Sequence, residues 1–209
     1  MRDQLLSEEE LLIRHTVRDY AENSLIARAA KYDETARFPW DNINELAGLG
    51  FLGLTIDEEF GGHGGTTRQI AVVAEEIARG CAATSVIYIA HVSLTSQYIN
   101  KFGTRQQKEK YLPDLSSGRK IGAFALTEPG AGSDAASIQT SSLRANGHYI
   151  LNGTKTYISN APEANVFVTL VTHDKEKGYK GIDALIVDGD SAGIKVNKLD
   201  GKMGVRAST

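Results

Sequence analysis

The sequence predicts an α+β protein: an N-terminal helical bundle followed by an antiparallel β-domain of barrel-like or sandwich form. Three observations predict it. Apolar residues recur at helical spacing as far as about residue 118, and from Ile121 onward the period drops to two. Capping boxes punctuate the first half. Two Asn-Gly pairs separate apolar stretches of the second. The change of period divides the chain into a helical domain, 1–118, and a β-domain, 119–209.

The helical elements follow in order. Ser7 with Glu10 forms a capping box, after which Leu11, Leu12, Val17, Tyr20 and Ala21 recur at roughly helical spacing. Pro39 opens a second helix, Asp41 to Ala47, ended by Gly48 and Gly50. FLGLTIDEEFGGHGGT is a loop. A third helix, about 66–79, places Ile70, Val73, Ala74 and Ile77 on one face. A fourth, about 83–101, is apolar nearly all round, which implies burial against several neighbours. Thr104 and Gln107 cap a short helix that stops near Gly118.

IGAFAL, SSLRA, HYIL, TKTYIS, NVFVTLV, IDALIVD and IKVNKL then read as strands. Asn146-Gly147 and Asn152-Gly153 both predict type I′ turns, which need positive φ at both central positions. Consecutive strands are therefore expected to be antiparallel neighbours in a meander.

Composition excludes several function classes. The 209 residues carry a net charge of −3, with Lys and Arg dispersed rather than gathered into a basic stripe, so nucleic acid is not expected as a partner. Cys81 is the only cysteine, which leaves neither a disulfide framework nor a thiolate metal cluster. His15, His63, His91, His148 and His173 show no ligand spacing, so no metal site is expected. The opening MRDQLLSEEE has no apolar signal region, and no run approaches the roughly 18 apolar residues of a spanning helix. These features predict a cytoplasmic protein without membrane insertion.

ALTEPGAGSDAAS, residues 125–137, is the most unusual stretch. Gly130 to Ala135 matches G-x-G-x-x-A, but its context excludes a nicotinamide dinucleotide site. The residues that follow are polar and soon enter a hairpin, and no Asp or Glu occurs between Asp134 and Glu163. Taken alone, the loop is a turn. Its company changes the reading: Tyr157-Ile158-Ser159, with Asn160 next, ends a second apolar stretch with an aromatic and a hydroxyl. Backbone amides and hydroxyls beside an aromatic suit a planar heteroaromatic ring, its rim hydrogen-bonded and its face packed.

FALTEPGAGSD at 124–134 and NGTKTYISN at 152–160 together resemble the acyl-CoA dehydrogenase family of flavoenzymes, as do EEFGGHGGT at 58–66, YLPDLSSGRKIGAFALTEP at 111–129 and the closing GKMGVRAST. The resemblance implies a helical N-terminal domain and a middle β-domain, with a C-terminal helical domain beyond Thr209 and FAD between the last two. It implies that Phe124, Leu126, Thr127, Gly132 and Ser133 meet the flavin, with Ser133 also near the pantetheine of an acyl-CoA substrate. Tyr157, Ile158 and Ser159 would cover the ring's other side, although Phe124, Tyr157 and Ser159 replace the commoner Tyr, Trp and Thr. The implied reaction is α,β-dehydrogenation of an acyl-CoA to a trans-2-enoyl-CoA, with hydride passing to flavin N5. An electron-transfer flavoprotein would be the acceptor, and a homo-oligomer, dimer or tetramer, the assembly.

The family's base is a Glu of the C-terminal domain, so no catalytic residue is assigned within these 209 and the chain alone is expected to be inactive. Glu58, Glu59, Glu75 and Glu76 read as solvated faces, and Glu128 as shaping its turn. His63 is expected to be exposed, and Cys81 to be a small core residue near a helix start. His91 reads as a hydrogen-bonded core histidine, with a place in the acyl cavity as the lesser reading. Two other classes remain open: a nitroalkane oxidase or flavin monooxygenase on the same fold, and a truncated protein that binds acyl-CoA without turnover.

Overall fold

The computed structural model describes residues 3–209. Helix α1 (Glu8–Tyr20) starts at the predicted capping box: Ser7 Oγ accepts from the Glu10 amide at 3.2 Å, and Glu10 Oε2 accepts from the Ser7 amide at 2.8 Å. It runs through a π-helical stretch, Ala21–Leu25, into α2 (Ile26–Thr35), which Ala36 ends at φ 49°. Helix α3 (Trp40–Gly48) begins after Pro39, and Gly50 turns the chain away at φ 81°. Helix α4 (Thr67–Gly80) has a capping box of its own, Thr66 with Gln69.

The predicted fourth helix is one rod with a defect in it. Helix α5 (Ala82–Ile89) passes into π-helix at Ala90–Ser96 and back to α6 (Gln97–Phe102). A π turn advances the register without breaking the rod, so apolar periodicity does not reveal it. Helix α7 (Arg105–Ser116) closes the helical part behind the Thr104–Gln107 box. Val17, Leu25, Leu46, Ile77, Ile87, Tyr88 and Val92 form the main core between these helices.

Contrary to its reading as a solvated face, Glu76 is buried. Its carboxylate takes two bonds from Arg18, at 2.9 and 2.6 Å, and stands 3.3 Å from Arg14 Nε. Arg14 is itself 2 % exposed and also reaches Asp3 and Glu75. A buried carboxylate is tolerated only when it is paired and hydrogen-bonded in this way. Glu58, Glu59 and Glu75 are exposed, as expected.

The second half is an open, mixed five-stranded sheet: β1 (Gly122–Ala125), β2 (Ser141–Ala145), β3 (His148–Asn152), β4 (Val166–Thr172) and β5 (Ile182–Asp188). It is neither a closed barrel nor an antiparallel meander. Strand β4 is central, with β1 beside it in parallel from Gly122↔Val166 to Ala125↔Thr169. Strand β5 lies antiparallel along its other edge, from Val166↔Asp188 to Thr172↔Ile182. Strand β2 touches β4 only at Ser141↔Thr172, again in parallel. The parallel pair β1–β4 needs a long connection, and the β2–β3 hairpin is part of it.

Asn146-Gly147 makes the predicted hairpin turn, at φ 51° and 80°. Asn152-Gly153 does not. Gly153 instead allows a close approach: a Cβ there would lie 2.4 Å from Thr140 Oγ1. TKTYIS and IKVNKL form no strands, since neither finds a regular partner along its length. Ile56, Phe60, Leu112 and Leu115 pack with Val166 and Val168 in a second core that seats the sheet on the helices.

Candidate functional site

Strand β1 is clamped to the helices at its start. Gly122 comes so close to the π-helical stretch that a Cβ would meet Thr95 Cγ2 at 2.5 Å. Its N–H donates to His91 Nδ1 at 3.0 Å, and His91 Nε2 lies 3.0 Å from the Leu115 carbonyl. An amide can only donate and a carbonyl can only accept, so the imidazole is neutral with its proton on Nε2. Burial drives its pKa down to about 4, against the opposing bond to Leu115. The core reading of His91 holds.

The other edge of β1, away from β4, is where the two predicted segments meet. Gly122 turns its carbonyl to this edge, where Asn160 Nδ2 donates to it at 3.1 Å; the same amide group donates to Ile87 O, also at 3.1 Å. At the far end, the Thr156 amide donates to Thr127 O at 2.9 Å and Lys155 Nζ to Leu126 O at 3.0 Å. Between these ties the chain leaves the strand. Tyr157 takes φ 57° and is 75 % exposed, and Asn160 takes φ 69° while fully buried. Strand alternation turns the N–H and C=O of Phe124 to the same edge as those of Gly122. Among the described residues, no hydrogen bond from 153–160 reaches Phe124.

Phe124, Leu126, Thr127, Ile158 and Ser159 are therefore gathered around one stretch of open backbone, all half-buried. The Phe124 ring packs on Tyr98, centroids 5.6 Å apart, and Tyr98 packs on Phe102 at 4.8 Å. Gly132 and Ser133 stand apart from this group. Both are exposed, and a Cβ at Gly132 would meet nothing within 4 Å. The loop turns back on itself through a bridge between Glu128 and Ala131, with N···O distances of 3.0 and 3.1 Å.

Glu128 does more than shape that turn. Its carboxylate, 6 % exposed, accepts from the amides of Gln139 and Thr140 at 2.6 and 2.9 Å and from Lys155 Nζ at 2.8 Å. Burial resists ionisation here, but Lys155 and the two amides outweigh it and hold the carboxyl at about 2. One ion pair thereby joins the loop, the entry to β2 and the segment before Tyr157. Sequence reasoning missed Lys155, whose importance comes from the distant carbonyl it reaches. A hollow of about 390 Å³ lies over this junction, between Pro129, Ser137 and Thr154. Cys81 is buried at the start of α5 and His63 is exposed.

Such a site, an open strand edge lined by hydroxyls and apolar side chains on an α+β frame, suits a planar ring with a polar rim. The acyl-CoA dehydrogenase N-terminal domain matches residues 7–119, and the acyl-CoA dehydrogenase middle domain matches 123–209. The chain belongs to the acyl-CoA dehydrogenase family. It is 41 % identical over 204 residues to a short-chain specific acyl-CoA dehydrogenase of Clostridium acetobutylicum, covering 98 % of this chain and 54 % of that protein. It is 38 % identical over 204 residues to the mitochondrial short-chain specific enzyme of Rattus norvegicus, covering 98 % and 50 %. The structure of butyryl-CoA dehydrogenase from Megasphaera elsdenii superposes with a TM-score of 0.91 at 34 % identity, over 99 % of this chain and 55 % of that one. The chain thus spans about half the length of the relatives it matches. No helix of the described residues is long and apolar enough to cross a membrane.

Proposed function

We propose that this chain carries the flavin-edge half of an FAD-dependent acyl-CoA dehydrogenase. The observation that carries the reading is the unpaired edge of β1 at Phe124, held open between the ties at Thr127 and Gly122. Half-buried backbone groups demand partners, and the polar rim of an isoalloxazine would supply them. FAD, when bound, would supply the two-electron acceptor for dehydrogenation of an acyl-CoA thioester to a trans-2-enoyl-CoA. Phe124 and Leu126 would present backbone to the ring and Thr127 its hydroxyl, while Tyr157, Ile158 and Ser159 would flank it. Fixed donors of this kind favour charge that develops at the rim without reorganising.

Gly132 and Ser133 would face the cofactor and the thioester arm; the open space around Gly132 supports this, since nothing in the chain itself demands glycine there. No carboxylate is left free for catalysis at the β1 edge among the described residues, because Glu128 is held by Lys155 and two amides. The chain alone would therefore bind flavin without turnover. An electron-transfer flavoprotein as acceptor, a homo-oligomeric assembly and a cytoplasmic setting belong to the same proposal.

Titration of FAD with the purified chain tests it, followed by flavin fluorescence. Thr127→Val removes one hydroxyl and keeps the shape, so binding should weaken by about 0.5–1.5 kcal/mol. Equal affinity of the two proteins would remove Thr127 from the site, and dye reduction with an acyl-CoA by the chain alone would overturn the assignment of no base.

A further inference from the structure

The segment that flanks β1 has the composition of a strand yet declines to become one. Gly122 and Phe124 turn their N–H and C=O groups towards this segment, and an antiparallel neighbour would meet them backbone to backbone. At Gly122 the structure instead fills the place of a backbone donor with the side-chain amide of Asn160. Thr156–Ser159 leaves the edge, with left-handed backbone at two non-glycine residues, Tyr157 and Asn160. Unpaired edges attract pairing, so something must oppose the ladder. Two side chains, half-buried Lys155 and buried Asn160, do so from its ends. Lys155 occupies the Leu126 carbonyl, while Glu128 anchors the ammonium from behind. Asn160 ties Gly122 to the Ile87 carbonyl, just ahead of the π-helical stretch, and its own N–H donates to Thr209 O at 2.7 Å.

We propose that Lys155 and Asn160 are positioning residues: they hold the Thr156–Ser159 bow away from β1, so that the backbone at Phe124 stays unpaired and available to a flavin rim. The inference rests on the flavin reading above and goes further, because it assigns the shape of the site to two side chains that need not touch the ligand.

Asn160→Gly keeps the left-handed backbone and deletes only the amide tie. Lys155→Met in a Glu128→Gln background deletes the second tie without stranding a buried charge. Two readouts are taken on each: FAD affinity of the folded chain, and hydrogen exchange of the amides at 124–127 and 154–160. The expected result is FAD binding at least tenfold weaker for each variant, with altered exchange confined to those two segments. A merely structural role would lower the unfolding midpoint and leave the affinity of the folded chain unchanged; that outcome, or unaltered exchange, overturns the proposal. Should Lys155→Met fail to fold, Asn160→Gly decides alone, and should neither variant fold, Lys155→Arg and Asn160→Ser, whose shorter or altered reach must still weaken binding, decide instead. Wild-type chain that binds no FAD removes the flavin reading, and the positioning role with it.

Discussion

His91 lets the clamp on β1 be tested by pH alone. The imidazole is fully buried and neutral, with a folded-state pKa of about 4, whereas a histidine in the unfolded chain titrates near 6.5. Below about 6.5 the unfolded chain therefore takes up a proton that the folded one refuses. Linkage gives the sign: the stability due to this group is complete above about 6.5 and is lost as pH falls towards 4. The whole loss is about 3 kcal/mol, of which about 2 kcal/mol falls between pH 7 and 5. His91→Gln can still accept from Gly122 and donate to Leu115, but it does not titrate. Urea denaturation of both proteins at pH 7.0 and 5.0 isolates the effect, since every other titrating group is common to the pair. The wild type should lose about 2 kcal/mol more than His91→Gln over that interval. Equal losses would refute the argument and mean that His91 takes its proton inside the fold, with the Gly122 contact dispensable.

Two glycines should respond in opposite ways. Gly153→Ala drives a methyl against Thr140 and should lower stability by about 1–3 kcal/mol in urea melts, whereas Gly132→Ala enters open space and should stay within about 0.5 kcal/mol of wild type. Similar losses for both would mean that the loop packs on something within the chain. Glu76→Gln neutralises the buried carboxylate that pairs with Arg18 and stands beside buried Arg14, and should cost about 3–5 kcal/mol by the same assay; a loss near zero would show that the Arg14–Arg18–Glu76 cluster is solvated.

Which of these features were legible in the sequence depends on how local the governing rule is. The boxes at Ser7 and Thr104 and the turn at Asn146-Gly147 each rest on bonds within four residues, and the structure has all three. Thr66 with Gln69 obeys the same rule and was equally readable. Asn152-Gly153 is the same dipeptide as the true hairpin turn, yet its glycine answers to Thr140, across a contact that no dipeptide rule contains. The π-helical stretch at Ala90–Ser96 lies in an apolar run where any periodicity would fit. Glu76 followed the charge pattern of a solvated face, and only Arg14 and Arg18, more than fifty residues away, make its burial tolerable.

The site shows the same division more sharply. Phe124, Leu126, Thr127, Ile158 and Ser159 lie together at one strand edge, because both motifs end there. The reading of TKTYIS as a strand failed at that same edge, and the two results have one cause. A segment with strand propensity beside an open edge would normally pair with it. Here Lys155 and Asn160 take up the carbonyls at either end of the gap, and the backbone between them makes no bond to Phe124. Propensity describes what the segment would do with a willing partner. At the ends of this gap the partner's carbonyls are already occupied by side chains.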